Sequence, residues 1–417
     1  MSPGALWQNR SRPVARALSS ERWGVCGVSL LRRDLVVALP RRALGLLAAG
    51  LILAACQAPS APAAARPPAA TVAPAAPNAP RADTATAPAG AAAPTAAASQ
   101  PSSPELVRVG VLNSISDAPF IIGRERGYFR DEGLDLELTP FDSAQQMIAP
   151  MGAGQLDVGG GAPGAGLINA FLRGVDIRLV ADRSQALPGS RVMCLVVRKE
   201  LLDSGAVQTA ADLRGRVYAE NVPANAMTYG FEQELHQGGL GPQDLSYTIV
   251  PFPDMVSAFS NGAIDTAMLL EPFITLSEAR GGASCWQPLS DIVPGFQAGV
   301  LMYSPSFADH EDAARRFMVG YLRGARDYYR AFFGDGTGRP ELVALLTQNT
   351  AVKDAALLER MAPNSMDPDG RVNVESLRDT QRWYLERGQI AAEVDFDRVV
   401  DPRFLDYALS RLGRYAR

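Results

Sequence analysis

Histidine and cysteine, which supply most protein metal sites and many catalytic nucleophiles, are scarce in this sequence. Only two histidines and four cysteines occur among 417 residues. His236 and His310 stand alone, with no second histidine or cysteine at the spacing that a zinc site requires. A Gly-x-Ser-x-Gly nucleophile elbow does not occur either. These absences predict a chain without catalytic residues, without a metal ion and without a cofactor.

The sequence also lacks a large excess of one charge and a long apolar run. The formal net charge is −4, so we expect no basic surface for nucleic acid. The apolar run Ala43 to Ala55 is too short to span a bilayer comfortably. A composition of 47% hydrophobic and 20% charged residues is ordinary for a globular protein. The length exceeds the usual size of one hydrophobic core, which predicts two domains or lobes.

The N-terminal region has the features of a secretory signal. Two arginine pairs precede the run Ala43 to Ala55, which leads into Cys56 through Leu-Ala-Ala. This end resembles the bacterial lipoprotein signal, in which the cysteine is lipidated and becomes the mature N-terminus. The alternative is an ordinary cleaved signal peptide with an incidental cysteine. We assign residues 1–55 to the signal region. Residues 1–31 precede a signal peptide of normal length, which indicates either a mis-assigned translation start or, with Arg32-Arg33, twin-arginine export.

Residues 56–104 consist almost entirely of alanine, proline, serine and threonine after the lipidated cysteine. Such a composition cannot bury enough apolar surface to offset the entropy lost on ordering. Frequent proline favours an extended, semi-stiff chain. We therefore expect a disordered tether that holds a globular body near a membrane surface.

Two cysteines, Cys194 and Cys285, remain in the globular body. An exported chain lies in an oxidising compartment, where two cysteines can form a disulfide. In a two-lobed body, this disulfide would join the two segments that cross between the lobes. Two buried free thiols are the alternative. The sequence alone leaves both possibilities open.

Two strand-to-helix turns with similar sequences organise the rest of the chain. Short apolar runs alternate with amphipathic segments from Leu106 onward, which predicts an α/β fold of mostly parallel sheets flanked by helices. Gly154 to Asp157 and Gly262 to Asp265 share the pattern Gly-x-aliphatic-Asp, and each precedes a strand and then a helix. The repeat predicts two facing lobes with a ligand cleft between them. The first lobe is expected to comprise residues 105–197 and 285–417, including helical C-terminal segments. The second lobe is expected to comprise residues 198–284.

Several short motifs resemble one known family. They are Val109-Gly110-Val111, Ala118 to Ile121, Gly127 to Leu134, Gly154 to Asp157, Asp212 to Val217, Gly262 to Asp265 and Glu271-Pro272. Together they resemble the nitrate, sulfonate and taurine class of substrate-binding proteins of ABC importers, which includes binders of thiamine-precursor pyrimidines. The resemblance implies a type II periplasmic-binding-protein fold. It also implies a protein that passes a small solute to ABC permease subunits. The signal and tether agree with that role, and we expect a monomer that is lipid-anchored outside the cytoplasmic membrane.

Candidate ligand-binding residues follow the carboxyl ends of predicted strands, where α/β sheets place ligands. For each polar residue the alternative is a turn or a helix cap without a ligand. The candidates are Ser114, Asp117, Pro119, Phe120, Gly161, Ala162, Arg183, Gln185, Asn221, Asn225, Ala226, Glu271 and Phe273.

The chemistry of these residues suggests a class of solute. Asp117 and Glu271 would repel an anion unless they were protonated or paired. Aromatic rings such as Phe120 and Phe273, with Tyr229, could stack on a planar group. We therefore expect a heteroaromatic or amine-bearing solute, such as a pyrimidine or vitamin precursor. Arg183 is the counter-argument, because its planar fork suits a sulfonate or carboxylate.

An enzyme is the alternative to a solute receptor. Gly159-x-Gly161-x-x-Gly164 matches a dinucleotide fingerprint, but it follows the third predicted strand of its lobe rather than the first. Family relatives that make the thiamine pyrimidine consume a histidine and a lysine-bound cofactor. Neither Lys199 nor Lys353 lies beside a predicted cleft loop, and His236 falls near the end of its helix. An exported pyrimidine-precursor synthase or hydrolase on this scaffold stays the alternative function.

Overall fold

The computed structural model describes residues 103–223 and 225–416. The signal region, Cys56 and the tether expected over 56–104 therefore lie outside the described residues, except for the last two positions of the tether. Within the described part, no helix combines the length and the apolar character needed to cross a membrane.

The strands of the described part form two five-stranded sheets. The first sheet has the order β2-β1-β3-β10-β4, and the second has the order β7-β6-β8-β5-β9. The strands are β1 Glu105–Val111, β2 Leu134–Pro140, β3 Val158–Gly161, β4 Arg178–Gln185, β5 Met193–Arg198, β6 Val217–Glu220, β7 Ser246–Ile249, β8 Thr266–Leu270, β9 Ala283–Pro288 and β10 Gln297–Tyr303.

Helices connect these strands and make up the C-terminal region. In the first half they are α1 Ala118–Glu125, α2 Tyr128–Asp131, α3 Ala144–Gly152, α4 Ala165–Leu172, α5 Lys199–Asp203, α6 Ala226–Gln237, α7 Phe252–Ser260 and α8 Phe273–Ala279. The later ones are α9 Leu289–Ile292, α10 Pro305–Asp309, α11 Glu311–Phe333, α12 Arg339–Asn349, α13 Ala355–Arg360, α14 Val374–Glu386, α15 Phe396–Val399 and α16 Arg403–Leu412.

Each sheet contains one reversed strand. In the first sheet β1 runs parallel to β2 and β3, whereas β10 lies antiparallel between β3 and β4. In the second sheet β6 runs parallel to β7 and β8, whereas β5 lies antiparallel between β8 and β9. The predicted α/β fold with two mostly parallel sheets flanked by helices is confirmed.

The chain crosses between the two sheets at slightly different places from those expected. Because β5 pairs with β8 and β9, the second sheet begins at Met193 rather than at residue 198, and it ends at Pro288. The two crossing segments run beside each other. The N–H of Ala186 donates to Phe296 O at 2.9 Å, and the N–H of Gly295 donates back to Ala186 O at 2.9 Å. Such a pair of short crossings is the natural position for a hinge.

The open question about the two cysteines is answered by a disulfide. Cys194 on β5 and Cys285 on β9 are bonded, with their Cα atoms 5.5 Å apart and 91 residues between them in sequence. β5 and β9 are the strands by which the chain enters and leaves the second sheet. The bond therefore closes the second lobe upon itself at its base.

The repeated Gly-x-aliphatic-Asp pattern has the same structural role in both lobes. Gly154 and Gly262 adopt φ values of +69° and +73°, which glycine tolerates best. Asp157 accepts from the backbone N–H of Arg108 at 2.9 Å and pairs with the side chain of the same arginine. In the second lobe Asp265 accepts from the N–H of Val217 at 3.0 Å and pairs with the side chain of Arg198. In each lobe the aspartate thus fastens the strand that follows it to a neighbouring strand.

The long helix α11 contributes many side chains to the hydrophobic core of the first lobe. Its side chains Phe317 and Tyr321 are fully buried and contact Phe120 of α1, with ring centroids 6.3 and 5.3 Å from that of Phe120. Further along the chain, α14 returns to the cleft side of the same lobe. Its residues Trp383 and Tyr384 belong to a buried cluster with residues of α3 and α4.

Candidate binding site

A cavity of about 320 Å³ lies between the two sheets, and both repeated turns border it. Gly161 and Ala162, at the end of β3, line it from the first lobe; Leu270 and Glu271, at the end of β8, line it from the second. The carboxyl ends of parallel strands are where α/β sheets place ligands. The cavity is therefore the strongest candidate binding site in the described part of the chain.

Seven of the candidate residues lie on the wall of this cavity. They are Ser114, Gly161, Ala162, Arg183, Asn225, Ala226 and Glu271. Contact with a ligand at each of them stays a prediction. The others lie elsewhere, as described below.

Arg183 and Asp117 form a buried ion pair at the back of the cavity. Each side chain is 1% exposed, and a guanidinium nitrogen of Arg183 donates to the carboxylate of Asp117. The second carboxylate oxygen of Asp117 accepts from the N–H groups of Leu112, at 3.0 Å, and Ser114, at 2.9 Å. Asp117 therefore holds the turn after β1 and neutralises Arg183, instead of facing the cavity. The Nε of Arg183 has no hydrogen-bond partner among the described residues.

The glycines of the first turn are required by close packing. A Cβ atom on Gly160 would lie 2.9 Å from Cδ of Arg183, and one on Gly161 would lie 2.6 Å from Cβ of Ala144. Gly161 also has a φ of +152°, which side chains rarely adopt. The sequence expectation placed Arg183 in a loop after β4, but it lies within β4 and crosses over this turn. Pro163 lies just before α4, which begins at Ala165.

Glu271 connects the second lobe to the C-terminal part of the first. One carboxylate oxygen accepts from Thr275 Oγ1 at 2.9 Å and from the N–H of Ala362 at 3.1 Å. The other accepts from the N–H of Thr275 at 3.1 Å. Burial raises the pKa of Glu271, and these hydrogen bonds to the ionised form oppose the rise. The carboxylate is therefore occupied by protein donors on both oxygens.

Four apolar or aromatic residues that were singled out from the sequence do not line the cavity. Pro119 and Phe120 are buried in α1, where Phe120 packs against α11, so a stacking role for Phe120 in the cleft is wrong. Phe273 stacks on Phe252, with centroids 5.6 Å apart, and only Phe252 reaches the cavity. Tyr229 packs between Phe296 and Trp383, outside the cavity. The sequence pattern marked the right loops, but tertiary packing turned these side chains inward.

Two polar candidates have structural roles outside the first cavity. Gln185 is buried in β4 and donates from Nε2 to Arg371 O at 2.6 Å. Asn221 accepts a hydrogen bond from the side chain of Asn225, whose Oδ1 in turn caps α6 by accepting from the N–H of Met227 at 2.9 Å. Asn221 lines a neighbouring cavity instead.

Apolar side chains that the sequence reasoning missed cover much of the cavity wall. They come from the turn after β1, from the crossings, from the starts of α6 and α7 and from the segment after α13. They include Ile115, Val192, Met193, Met227, Phe252, Phe296 and Met361. From the sequence alone, these residues could have been predicted only as apolar residues next to a chain crossing.

A second cavity of about 620 Å³ adjoins the first and shares four of its lining residues, Leu112, Ala162, Asn225 and Ala226. Its other lining residues are more polar and include Ser143, Gln145, Asn169, Tyr384 and Gln389. It also borders the start of α4, from Gly164 to Gly166. The cleft thus consists of an apolar and a polar compartment in contact.

Metal binding finds no support in the geometry. Within residues 103–223 and 225–416, no three histidine, cysteine, aspartate or glutamate side chains converge as a metal site would require.

Comparison with known proteins defines the class to which this two-lobed fold belongs. The structure resembles the periplasmic aliphatic sulphonate binding protein SsuA from Escherichia coli, with a TM-score of 0.58 and 19% identity. The likeness covers 72% of this chain and 93% of the Escherichia coli protein. The structure also resembles the desulfurization enzyme DSZB over 74% of this chain and 99% of that one, with a TM-score of 0.52 and 16% identity. The fold is therefore the two-lobed periplasmic-binding-protein fold predicted from sequence.

The sequence itself matches the NMT1/THI5-like family over residues 114–331, just over half of the 417 residues. The chain belongs to the NMT1/THI5-like family. A Bacillus subtilis (strain 168) protein, provisionally named as binding aliphatic sulfonates, is 24% identical over 228 residues. That match spans 51% of this chain and 62% of the length of the Bacillus protein.

Proposed function

We propose that this protein is the extracytoplasmic substrate-binding component of an ABC importer. The observation that carries the proposal is a cavity bordered by the two equivalent turns of two lobes that are joined by a pair of short crossings. In such an arrangement a solute bound to both lobes shifts the population toward the closed form. The family membership and the fold both support a solute receptor.

The wall of the first cavity favours a small organic solute. Its polar groups are largely satisfied by one another: Arg183 pairs with Asp117, and Glu271 is held by Thr275 and Ala362. An apolar wall gains most from an apolar or aromatic body, whereas an inorganic anion such as nitrate would leave it in contact with water. The unpaired Nε of Arg183 would donate to one acceptor atom of the solute. A heteroaromatic ring with a ring nitrogen or carbonyl, or an organic sulfonate, meets these requirements.

The proposal includes export and a lipid anchor. The arginine-flanked run before Cys56 and the alanine- and proline-rich segment after it have the pattern of a lipoprotein signal with its tether. A tethered monomer outside the cytoplasmic membrane would meet the permease subunits at that surface. Replacement of Cys56 by Ser should release the protein from the membrane fraction, and unchanged membrane association would contradict the anchor.

An enzyme on this scaffold is the second candidate, favoured by the likeness to DSZB. The wall of the first cavity, as far as the structure describes it, contains no cysteine, histidine or lysine. The serines that face it, such as Ser114 and Ser116, bond to each other at 2.8 Å rather than to a base. Nucleophilic catalysis requires a base within hydrogen-bond reach of the nucleophile. This arrangement supports a receptor over an enzyme.

Recovery of the bound solute tests the function directly. The full-length protein is purified without denaturation, and small molecules released from it are identified by mass spectrometry. A receptor yields one molecule that rebinds unchanged after prolonged incubation, whereas an enzyme yields a converted product. Phe252→Ala should weaken rebinding because it removes aromatic surface from the cavity wall. If no molecule is recovered and none rebinds, a receptor function is contradicted.

A further inference from the structure

Arg183 is the only positively charged residue on the walls of the two cavities, as far as the structure describes them. The first cavity has one further wall residue that can carry a full charge at neutral pH, Glu271, and the second cavity has none. A buried charge is costly unless it is paired with an opposite one. An anionic solute would therefore depend on Arg183 for its opposite charge.

The charge of Arg183 is already paired inside the protein. Asp117 lines neither cavity, and its side chain, like that of Arg183, is 1% exposed. One carboxylate oxygen accepts from Arg183, and the other accepts from the N–H groups of Leu112, at 3.0 Å, and Ser114, at 2.9 Å. Three nitrogen donors on its two oxygens hold Asp117 as an ionised carboxylate. An anion beside Arg183 would thus bury a second negative charge against a single positive one.

No other group near the first cavity supplies the missing positive charge. Glu271, on the wall, and Asp182, next to Arg183 in sequence, are neutral or negative, and burial raises the pKa of both carboxyls. The start of α6 also borders the cavity, but its N-cap Asn225 already accepts from the N–H of Met227 at 2.9 Å. A helix N-terminus carries roughly half an elementary charge, less than the full charge of a carboxylate. The charges around the cavity are therefore unfavourable for an anion.

We propose that the ion pair of Asp117 and Arg183 makes the first cavity selective for an uncharged solute over an anion of the same shape. Asp117 acts through Arg183 and is a positioning residue, not a ligand contact. The Nε of Arg183 has no hydrogen-bond partner within the described residues, so one neutral acceptor, such as a carbonyl oxygen or a ring nitrogen, satisfies it. Of the two solute classes compatible with the apolar wall, the pair favours the uncharged organic molecule over the organic sulfonate. This inference rests on the proposed receptor function and narrows its substrate class.

Matched probes measure the charge preference of the wild type. Benzamide, benzoate and benzenesulfonate share a ring and differ in the charge of one substituent, and their binding to the full-length protein is measured by calorimetry. We expect benzamide to bind about tenfold more tightly than either anion, because each anion would bring an unpaired charge into the cavity. Equal or tighter binding of an anion overturns the inference while the receptor function stands.

Asp117→Asn tests the ion pair itself. It leaves the charge of Arg183 unpaired, so benzoate binding should gain about tenfold relative to benzamide binding. The double variant Asp117→Asn/Arg183→Met alters the same turn but frees no cation, and the gain should vanish. Asp312→Asn is the matched control: it also removes an acid paired with an arginine, Arg316, but its side chain is 81% exposed, so the preference should not change. An unchanged ratio in Asp117→Asn, or the same gain in the double variant, overturns the role of Asp117.

The charge of the recovered solute tests the inference without any variant, and so also if Asp117→Asn does not fold. A molecule that is released from the purified protein and is uncharged at neutral pH supports the inference. A charged molecule overturns it while the receptor function stands. If no solute is recovered and no probe binds, the receptor function fails, and the inference fails with it.

Discussion

The turn after β3 and the turn after β8 share a support but present different groups to the cavity. In both lobes a glycine with positive φ precedes an aspartate that binds a backbone N–H and an arginine of a neighbouring strand. The first turn then presents bare backbone, because Arg183 and Ala144 leave no room for side chains on Gly160 and Gly161. The second presents the carboxylate of Glu271, which reaches the opposite lobe at Ala362.

This comparison shows which features identify a fold and which identify a site. The similar positions, Gly154 to Asp157 and Gly262 to Asp265, hold strands in place and do not line the cavity. The dissimilar positions that follow them do line it. In this chain the internal repeat therefore locates the cleft, whereas departures from the repeat give the cleft its chemistry.

The largest expected difference between the lobes comes from the disulfide, which only the second lobe has within the described residues. Replacement of both Cys194 and Cys285 by alanine should destabilise the protein by about 4 kcal/mol, because a loop of 91 residues is no longer closed in the unfolded chain. Urea unfolding of the wild type should show the same loss when a reductant is added. A reductant that does not shift the unfolding midpoint would contradict the expectation.

The next effect tests whether the two aspartates are equivalent supports. Asp157→Asn and Asp265→Asn each turn an amide N–H₂ toward donors, so each should lower the free energy of unfolding by about 1–2 kcal/mol. The loss should be no smaller for Asp265, because its partner Arg198 is 21% exposed whereas Arg108 is 40% exposed. Urea midpoints of the two variants measure this directly. A loss at one aspartate alone would show that the repeat is only a similarity of sequence.

A smaller effect is expected at the contact between the lobes. Glu271→Gln replaces one acceptor oxygen by a donor, which weakens the contacts with Thr275 or with the N–H of Ala362. Closure should become less favourable, and affinity for the recovered solute should fall about fivefold. Glu359→Gln, at an exposed position of α13, is the matched control. Equal affinities of the two variants would remove Glu271 from the closing contacts.

Local patterns in the sequence were enough to predict the two sheets and the paired turns. The periodicity of apolar residues and the Gly-x-aliphatic-Asp repeat act over a few residues, so they can be read without a structure. The direction of the Phe120 side chain could not be predicted from the sequence, because it depends on packing against α11, which lies far along the chain. The contributions of Phe296, Met361 and Tyr384 to the cleft depend on chain crossings and on the return of α14, which no short motif encodes.

The last expected effect is a pH dependence of stability that originates in the first lobe. Asp182 on β4, beside Arg183, has a pKa raised to about 7 by burial, against hydrogen bonds from Gln297 Nε2 and the N–H of Asp367. Between about pH 4 and about pH 7 the folded protein retains a proton that the unfolded chain has lost, so stability falls as the pH rises and levels off above that range.

Asp182→Asn stays neutral at every pH and should lose this dependence. The wild type should therefore lose stability relative to Asp182→Asn between about pH 4 and about pH 7, as measured by urea midpoints. The hydrogen bonds from Gln297 and from the N–H of Asp367 favour the ionised form and oppose burial, so they limit the size of this difference. Parallel pH profiles of the two proteins would mean that Asp182 is ionised throughout, with these two donors sufficient to stabilise a buried charge in the first lobe.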